Sequence, residues 1–411
     1  MVTTPAELIT KLDGTDPNDI VRRFAANSAF RAATQEELTT EEDPYRRPVR
    51  PDDLAWLDYA TPMPADKTLL LSWLLGHRML RNVYDTDLLH LPPAANPVAD
   101  RHRGDFYSLD NRVLGALAGP ILERHLFTHL DLDREPLATP ELGPLKARLR
   151  AYHEERSAAR DDAFAIALTR RDRREAATFV LLQLSAYLPA AYHAIGHGAI
   201  GEYTQAHPTL RDSLLADYAG WSGRAPEYRR LLAAAGLKPG TAAYWQLYLG
   251  TSLGRGNHLH YLSRTREHAF RFLGAWVHKK IDDMVTAGRY AAVFEEAFDH
   301  RTGLFESDAA FDENRLDALV TELLEPLTSR FGSPVIEEFH AGFEDARRLA
   351  GLWDRDLSEQ LAWADDIPAY MERAERIQRH ITDEHIDVDL DTFVESCEET
   401  STTHVHDEHR W

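Results

Sequence analysis

Histidine and carboxylate spacing is the main chemical signal in this sequence. His193 and His197 lie four apart, so a continuous helix would set both on one face, where they could supply two ligands to a metal ion. Two ligands do not make a site, and Gly196 and Gly198 point to tight packing or a fraying end there. Both histidines are therefore read as satisfied by backbone or water. His258 and His260, two apart, would face different sides of a helix and are read as packing residues. Near the C-terminus, His404 and His406 on a strand would put both imidazoles on one face, with Glu408 close enough to add a carboxylate. The competing reading of residues 402–411 is a polar tail. HExxH, CxxC, GxSxG and P-loop patterns are absent, and Gly254-Arg255-Gly256 is too short for a phosphate fingerprint.

The elements that must position these residues are helical. Leu69, Leu70, Trp73, Leu74, Leu80 and Val83 recur at helical spacing, with Asp66 a candidate N-cap. Ser108 can cap a helix running to about Leu130, and Pro136, Pro140 and Pro144 mark a connector and candidate domain boundary. Beyond it the pattern predicts helices over 174–205, 241–253, 266–287 (stopped by Gly288), 312–331 (stopped by Gly332), 334–352 and 357–380. Alternation typical of strands appears only at Ile386–Leu390. The 411 residues suffice for two domains and a fragment of a third. A net charge of −21 argues against nucleic acid or an anionic membrane as partner. The single cysteine, Cys397, rules out a disulfide framework or thiolate cage. No secretory signal opens the chain, and apolar stretches such as Leu69–Leu75 fall short of the about 20 residues of a membrane helix, so a cytoplasmic protein is expected.

Three stretches carry a resemblance. The first is Asp43-Pro44-Tyr45-Arg46-Arg47 with Leu57-Asp58-Tyr59 and Asn82-Val83-Tyr84-Asp85-Thr86-Asp87-Leu88. The second runs from Tyr244-Trp245-Gln246-Leu247-Tyr248-Leu249 through His260-Tyr261-Leu262 to Phe270–Ala275. The third is Leu357-Ser358-Glu359-Gln360-Leu361-Ala362-Trp363. In this order and spacing they resemble the nitrosourea synthases of streptozotocin biosynthesis, over nearly the whole chain. The resemblance implies a mainly α protein. Residues 1–144 would be a helical dimerisation domain, giving a homodimer, and 145–385 a haem-oxygenase-like diiron-oxygenase-type bundle. Residues 386–411 would be the incomplete start of a C-terminal cupin β-barrel. It further implies N-oxidation of an arginine derivative in the bundle, then oxidative rearrangement to a nitrosourea at a cupin iron, whose first two ligands match His404 and His406. A cupin barrel needs far more chain than follows that pair.

Against the family's ligand pattern the bundle departs. The positions that the resemblance assigns to iron ligands hold Ala190, Asp217, Arg224 (or, with a gap, Glu227), Lys280, Asp308, Asp312 and Arg315. A diiron centre needs roughly six carboxylate and imidazole donors. Alanine donates nothing, and protonated lysine or arginine repels a dication while offering no lone pair. A diiron centre is therefore not expected. Asp217, Asp308 and Asp312 could at most hold one weakly bound metal, opposed by the neighbouring cations.

Three cations and three carboxylates remain, and the sequence predicts that Arg224, Lys280 and Arg315 pair with Asp217, Asp308 and Asp312 in place of iron. The alternative is a register off by a turn, with Asp282 and Asp283 close by. Two functions compete. One is a nitrosourea-synthase-like oxidoreductase acting on a guanidino amino acid, with iron chemistry confined to a cupin. The other is a non-catalytic dimeric scaffold or carrier. Breaking one buried pair typically costs about 3–5 kcal/mol. Lys280→Met is thus expected to lower the melting temperature, and an unchanged transition in a calorimetric scan would rule the predicted pairing out.

Overall fold

The computed structural model describes residues 15–26, 54, 57–64, 71–86, 108–131, 134, 136–159, 173–200, 207–237, 247–264, 266–305 and 312–363. Among them there are ten α-helices and no strand, in keeping with a mainly α chain. The expected cupin start, and with it His404 and His406, lies outside the described residues, as does Asp308. The chain divides into two compact units, one formed by residues 1–129, 244–250 and 368–411 and the other by 130–243 and 251–367.

The first unit contains α1 (Pro17–Ala26), α2 (Leu71–Asp85) and α3 (Leu109–Phe127). α3 begins where Ser108 Oγ accepts from the Asn111 amide at 3.4 Å, satisfying one of the donors a helix start leaves open. The segment through Leu57-Asp58-Tyr59 ties the three helices together. The Tyr59 amide donates to Asn18 Oδ1 on α1 at 2.7 Å, and its hydroxyl to the Ser72 carbonyl on α2 at 3.0 Å. His125 on α3 meets the Thr61 carbonyl through Nδ1 at 2.6 Å.

The second unit contains α4 (Leu142–Ala158), α5 (Arg173–Gly198), α6 (Pro208–Ala234), α7 (Gly250–Arg264), α8 (Ala269–Phe298), α9 (Glu313–Phe331) and α10 (Pro334–Trp363). α8 is its central element, with Phe272, Leu273, Trp276, Val277 and Ile281 all fully buried. The helix does not stop at Gly288. Tyr290, Val293, Phe294 and Phe298 continue the buried stripe, and burying them outweighs the weak helix preference of one glycine. It ends instead at Asp299, whose φ of 52° is left-handed. The two helices expected over 334–352 and 357–380 are one helix through Trp363 among the described residues. Residues 248 and 249, expected to be helical, are not, and α7 begins at Gly250. α9 begins and ends as predicted, at Asp312 and Gly332.

α5 was not expected to be apolar enough to cross a membrane, yet by length and composition it is. Since 78% of that apolar window is buried, it is a core helix of this unit.

α8 and α10 touch backbone to backbone. A Cβ on Gly274 would lie 1.8 Å from the Phe339 carbonyl oxygen, and one on Gly342 would lie 1.9 Å from that of Arg271. Such a contact cannot be relieved by turning a side chain. Gly274→Ala is therefore expected to destabilise this unit by about 3 kcal/mol or more. Urea denaturation followed by far-UV circular dichroism checks this, and an unchanged midpoint would contradict the close approach.

Candidate functional site

The inner face of α8 carries polar residues in a core helix. His278, Asp282, Thr286 and Tyr290 follow one another at four-residue spacing, and all are buried. Around Asp282 three helices deliver charge. Arg156 of α4 donates from Nε to Asp282 Oδ1 at 2.9 Å, and Arg255 of α7 donates from Nη2 to Oδ2 at 2.8 Å. Arg156 also grips Asp354 of α10 with both terminal nitrogens, at 2.6 and 3.2 Å. Beside this cluster Lys279 pairs with Asp283, its Nζ lying 4.2 Å from the Tyr192 ring centre. Three cations thus face three carboxylates in this interior.

Electrostatics follow from burial and pairing. Burial alone would raise the pKa of Asp282, but the guanidiniums of Arg156 and Arg255 hold its carboxyl well below the usual carboxylate range. Asp354 moves the other way, pushed up by burial and only partly offset by Arg156. His278 is pushed down to about 3 by burial and stays neutral, its Nε2 2.8 Å from the Tyr152 hydroxyl. Burial likewise pushes His258 down to about 3, with Nε2 3.9 Å from Asp345. Beyond the charged cluster lies a cavity of about 20 Å³, room for roughly one water, lined by Tyr187, Tyr192, Trp221, Arg224, Asp282 and Tyr290 among others.

The residues singled out from the sequence fall in different places. Ala190 is buried on α5 and packs against α7, where a Cβ on Gly256 would lie 2.8 Å from its own. Asp217 on α6 does pair with Lys280, and its second oxygen accepts from Trp276 Nε1 at 2.7 Å. Both ends of that pair keep about a fifth of their surface in water, which lowers its worth below that of a buried pair. Among the described residues Arg224 is placed against backbone and aromatic groups. It donates to the Leu304 carbonyl at 2.6 Å and to the Tyr192 hydroxyl at 3.2 Å, across one side of the cavity. Glu227 pairs with Arg230 at 2.7 Å. Asp312 and Arg315 are exposed, and Asp312 accepts from the Arg315 amide at 2.9 Å as the N-cap of α9. The predicted network is thus reduced, among the described residues, to its Asp217–Lys280 pair.

Among the described residues, the histidines singled out from the sequence lie on α5 and α7. His197 is exposed and meets the Ser263 carbonyl through Nδ1 at 3.2 Å, while His258 and His260 are both buried in α7. Among the described residues no group of three or more His, Cys, Asp and Glu side chains is placed to hold a metal ion.

Sequence reasoning missed Arg156, Arg255 and Asp354 and kept Asp282 only as an alternative. A signal was present: Asp282 sits four residues from His278 and Thr286 on the helix that also carries Trp276 and Ile281.

The fold is that of a helical protein whose second unit is a bundle closed around paired charges. No family model matches the chain. It is 27% identical over 408 residues to the nitrosourea synthase of Streptomyces achromogenes subsp. streptozoticus, an alignment covering 98% of this chain and 86% of that protein. The chain is therefore a distant relative of nitrosourea synthase, as its three sequence stretches imply.

Asp282→Asn would leave two buried guanidiniums short of their shared counter-charge. A loss of about 3–5 kcal/mol is expected in equilibrium unfolding. A loss under about 1 kcal/mol, the range of an exposed pair, would mean that the cluster is solvated.

Proposed function

We propose that this chain is a nitrosourea-synthase-like oxidoreductase of secondary metabolism whose helical bundle is a metal-free scaffold. Any oxidation of a guanidino amino acid, by N-oxidation or N-nitrosation, then falls to iron at His404 and His406. The observation that carries the first half is the filled interior around Asp282. Both carboxylate oxygens of Asp282 already accept from guanidinium donors, and Asp283 and Asp354 are paired with Lys279 and Arg156. A dication entering there would have to displace cations that cannot lose their charge, arginine above all. Ala190 supplies no donor, and it packs where a Cβ on Gly256 would lie 2.8 Å from its own. Support for the second half is the relationship to nitrosourea synthase together with the spacing of the C-terminal histidines.

The same filled interior favours a second reading, a non-catalytic relative that serves as a scaffold or a carrier. Iron stoichiometry separates the two. After anaerobic loading with Fe(II) and desalting, one iron per chain is expected, lost when His404 and His406 are both changed to alanine. Two irons per chain would overturn the scaffold assignment of the bundle. None would leave the non-catalytic reading.

A further inference from the structure

Arg255 enters the interior of the second unit in a particular setting. Its guanidinium carbon lies 4.0 Å from the centre of the Tyr187 ring and 5.0 Å from that of Trp353, while Nη2 donates to Asp282 Oδ2 at 2.8 Å. Two aromatic rings and one carboxylate edge form a recognition set for a planar, delocalised cation. The rings attract the positive charge over their faces, and the free edge of the carboxylate, Oδ2, accepts from a nitrogen in the guanidinium plane. An ammonium would satisfy the charge but not the plane.

Each part of this setting is fixed by something other than Arg255. Trp353 Nε1 donates to Ser252 Oγ at 2.9 Å, and Ser252 Oγ donates to Gln183 Oε1 at 2.9 Å, all buried. Asp282 Oδ1 is held by Arg156 Nε, and Arg156 by Asp354. Tyr187 is buried on the core helix α5. The walls come from α5, α8 and α10, whereas the occupant comes from α7. Shortening Arg255 would therefore remove the occupant and leave its surroundings in place.

We propose that Tyr187, Trp353 and Asp282 form a guanidinium-binding cage filled in cis by Arg255, and that the cage takes up a free guanidinium or small alkylguanidinium ion once that side chain is shortened. In the intact chain the tethered group has the advantage of an intramolecular ligand and excludes guanidino compounds from this interior. The inference goes beyond the proposed function, since it concerns the bundle alone and stands or falls independently of iron at His404 and His406.

Chemical rescue in the full chain tests this. The Arg255→Ala protein is expected to melt below the unmodified protein. Millimolar guanidinium or methylguanidinium chloride, far below the denaturing range, should raise its melting temperature by several degrees in a saturable manner. Sodium or methylammonium chloride at equal ionic strength should not, and the unmodified protein should show no rise with any of the four salts. Absence of a guanidinium-specific rise, or an equal rise with methylammonium, would overturn the proposal. Should Arg255→Ala not fold, Arg255→Lys decides: it keeps the charge but loses the fork and the plane, so it is expected to melt well below the unmodified protein. Equal melting temperatures would show that the cage does not select a guanidinium.

Discussion

The shared carboxylate of Asp282 is the constraint on which the second unit depends. It is buried, it binds two arginines from different helices, and one of these binds a second carboxylate on a third. α4, α7, α8 and α10 thus meet through one connected set of charge-assisted hydrogen bonds. A buried cluster of this kind gains little over well-packed apolar side chains, because removing charges from water costs about as much as their attraction returns. What it supplies is direction. Leucines can slide past one another, whereas a guanidinium that must present its nitrogens to a fixed carboxylate admits few helix registers.

The direct helix contacts complement that direction. Gly274 and Gly342 let α8 and α10 approach until backbone meets backbone, and Gly256 makes room on α7 for the Ala190 methyl of α5. Beside the charged cluster the adjoining cavity has room for about one water. Small residues and paired charges are two halves of one packing solution.

Much of the fold was legible because helix ends are local. Ser108, Asp312 and Gly332 end helices through hydrogen bonds or backbone angles within a few residues, and each did what its type suggests. Gly288 misled for the opposite reason, since the continuation of α8 depends on burial of Tyr290 and Phe294 against distant chain. The same divide runs through the site. The exchange of Lys280 with Asp217 was visible from sequence, while Arg156 and Asp282 lie 126 residues apart and Arg156 and Asp354 lie 198 apart. Asp312 and Arg315 had the right charges, but their shared turn at the start of α9 uses the carboxylate locally. Residue types state which charges must be balanced; only the packed helices decide which pairs meet.

The contact between Ala190 and Gly256 carries a consequence for how such a bundle can change. A larger residue at 256 would collide with Ala190 unless one of the two helices shifts. Charge compensation around Asp282 is interlocked in the same way, since replacing that carboxylate takes a partner from two arginines at once. Single steps toward a ligand-bearing interior thus run uphill, and an open donor set is reached only by several concerted replacements. The present interior behaves as a ratchet, easy to keep and hard to leave one residue at a time.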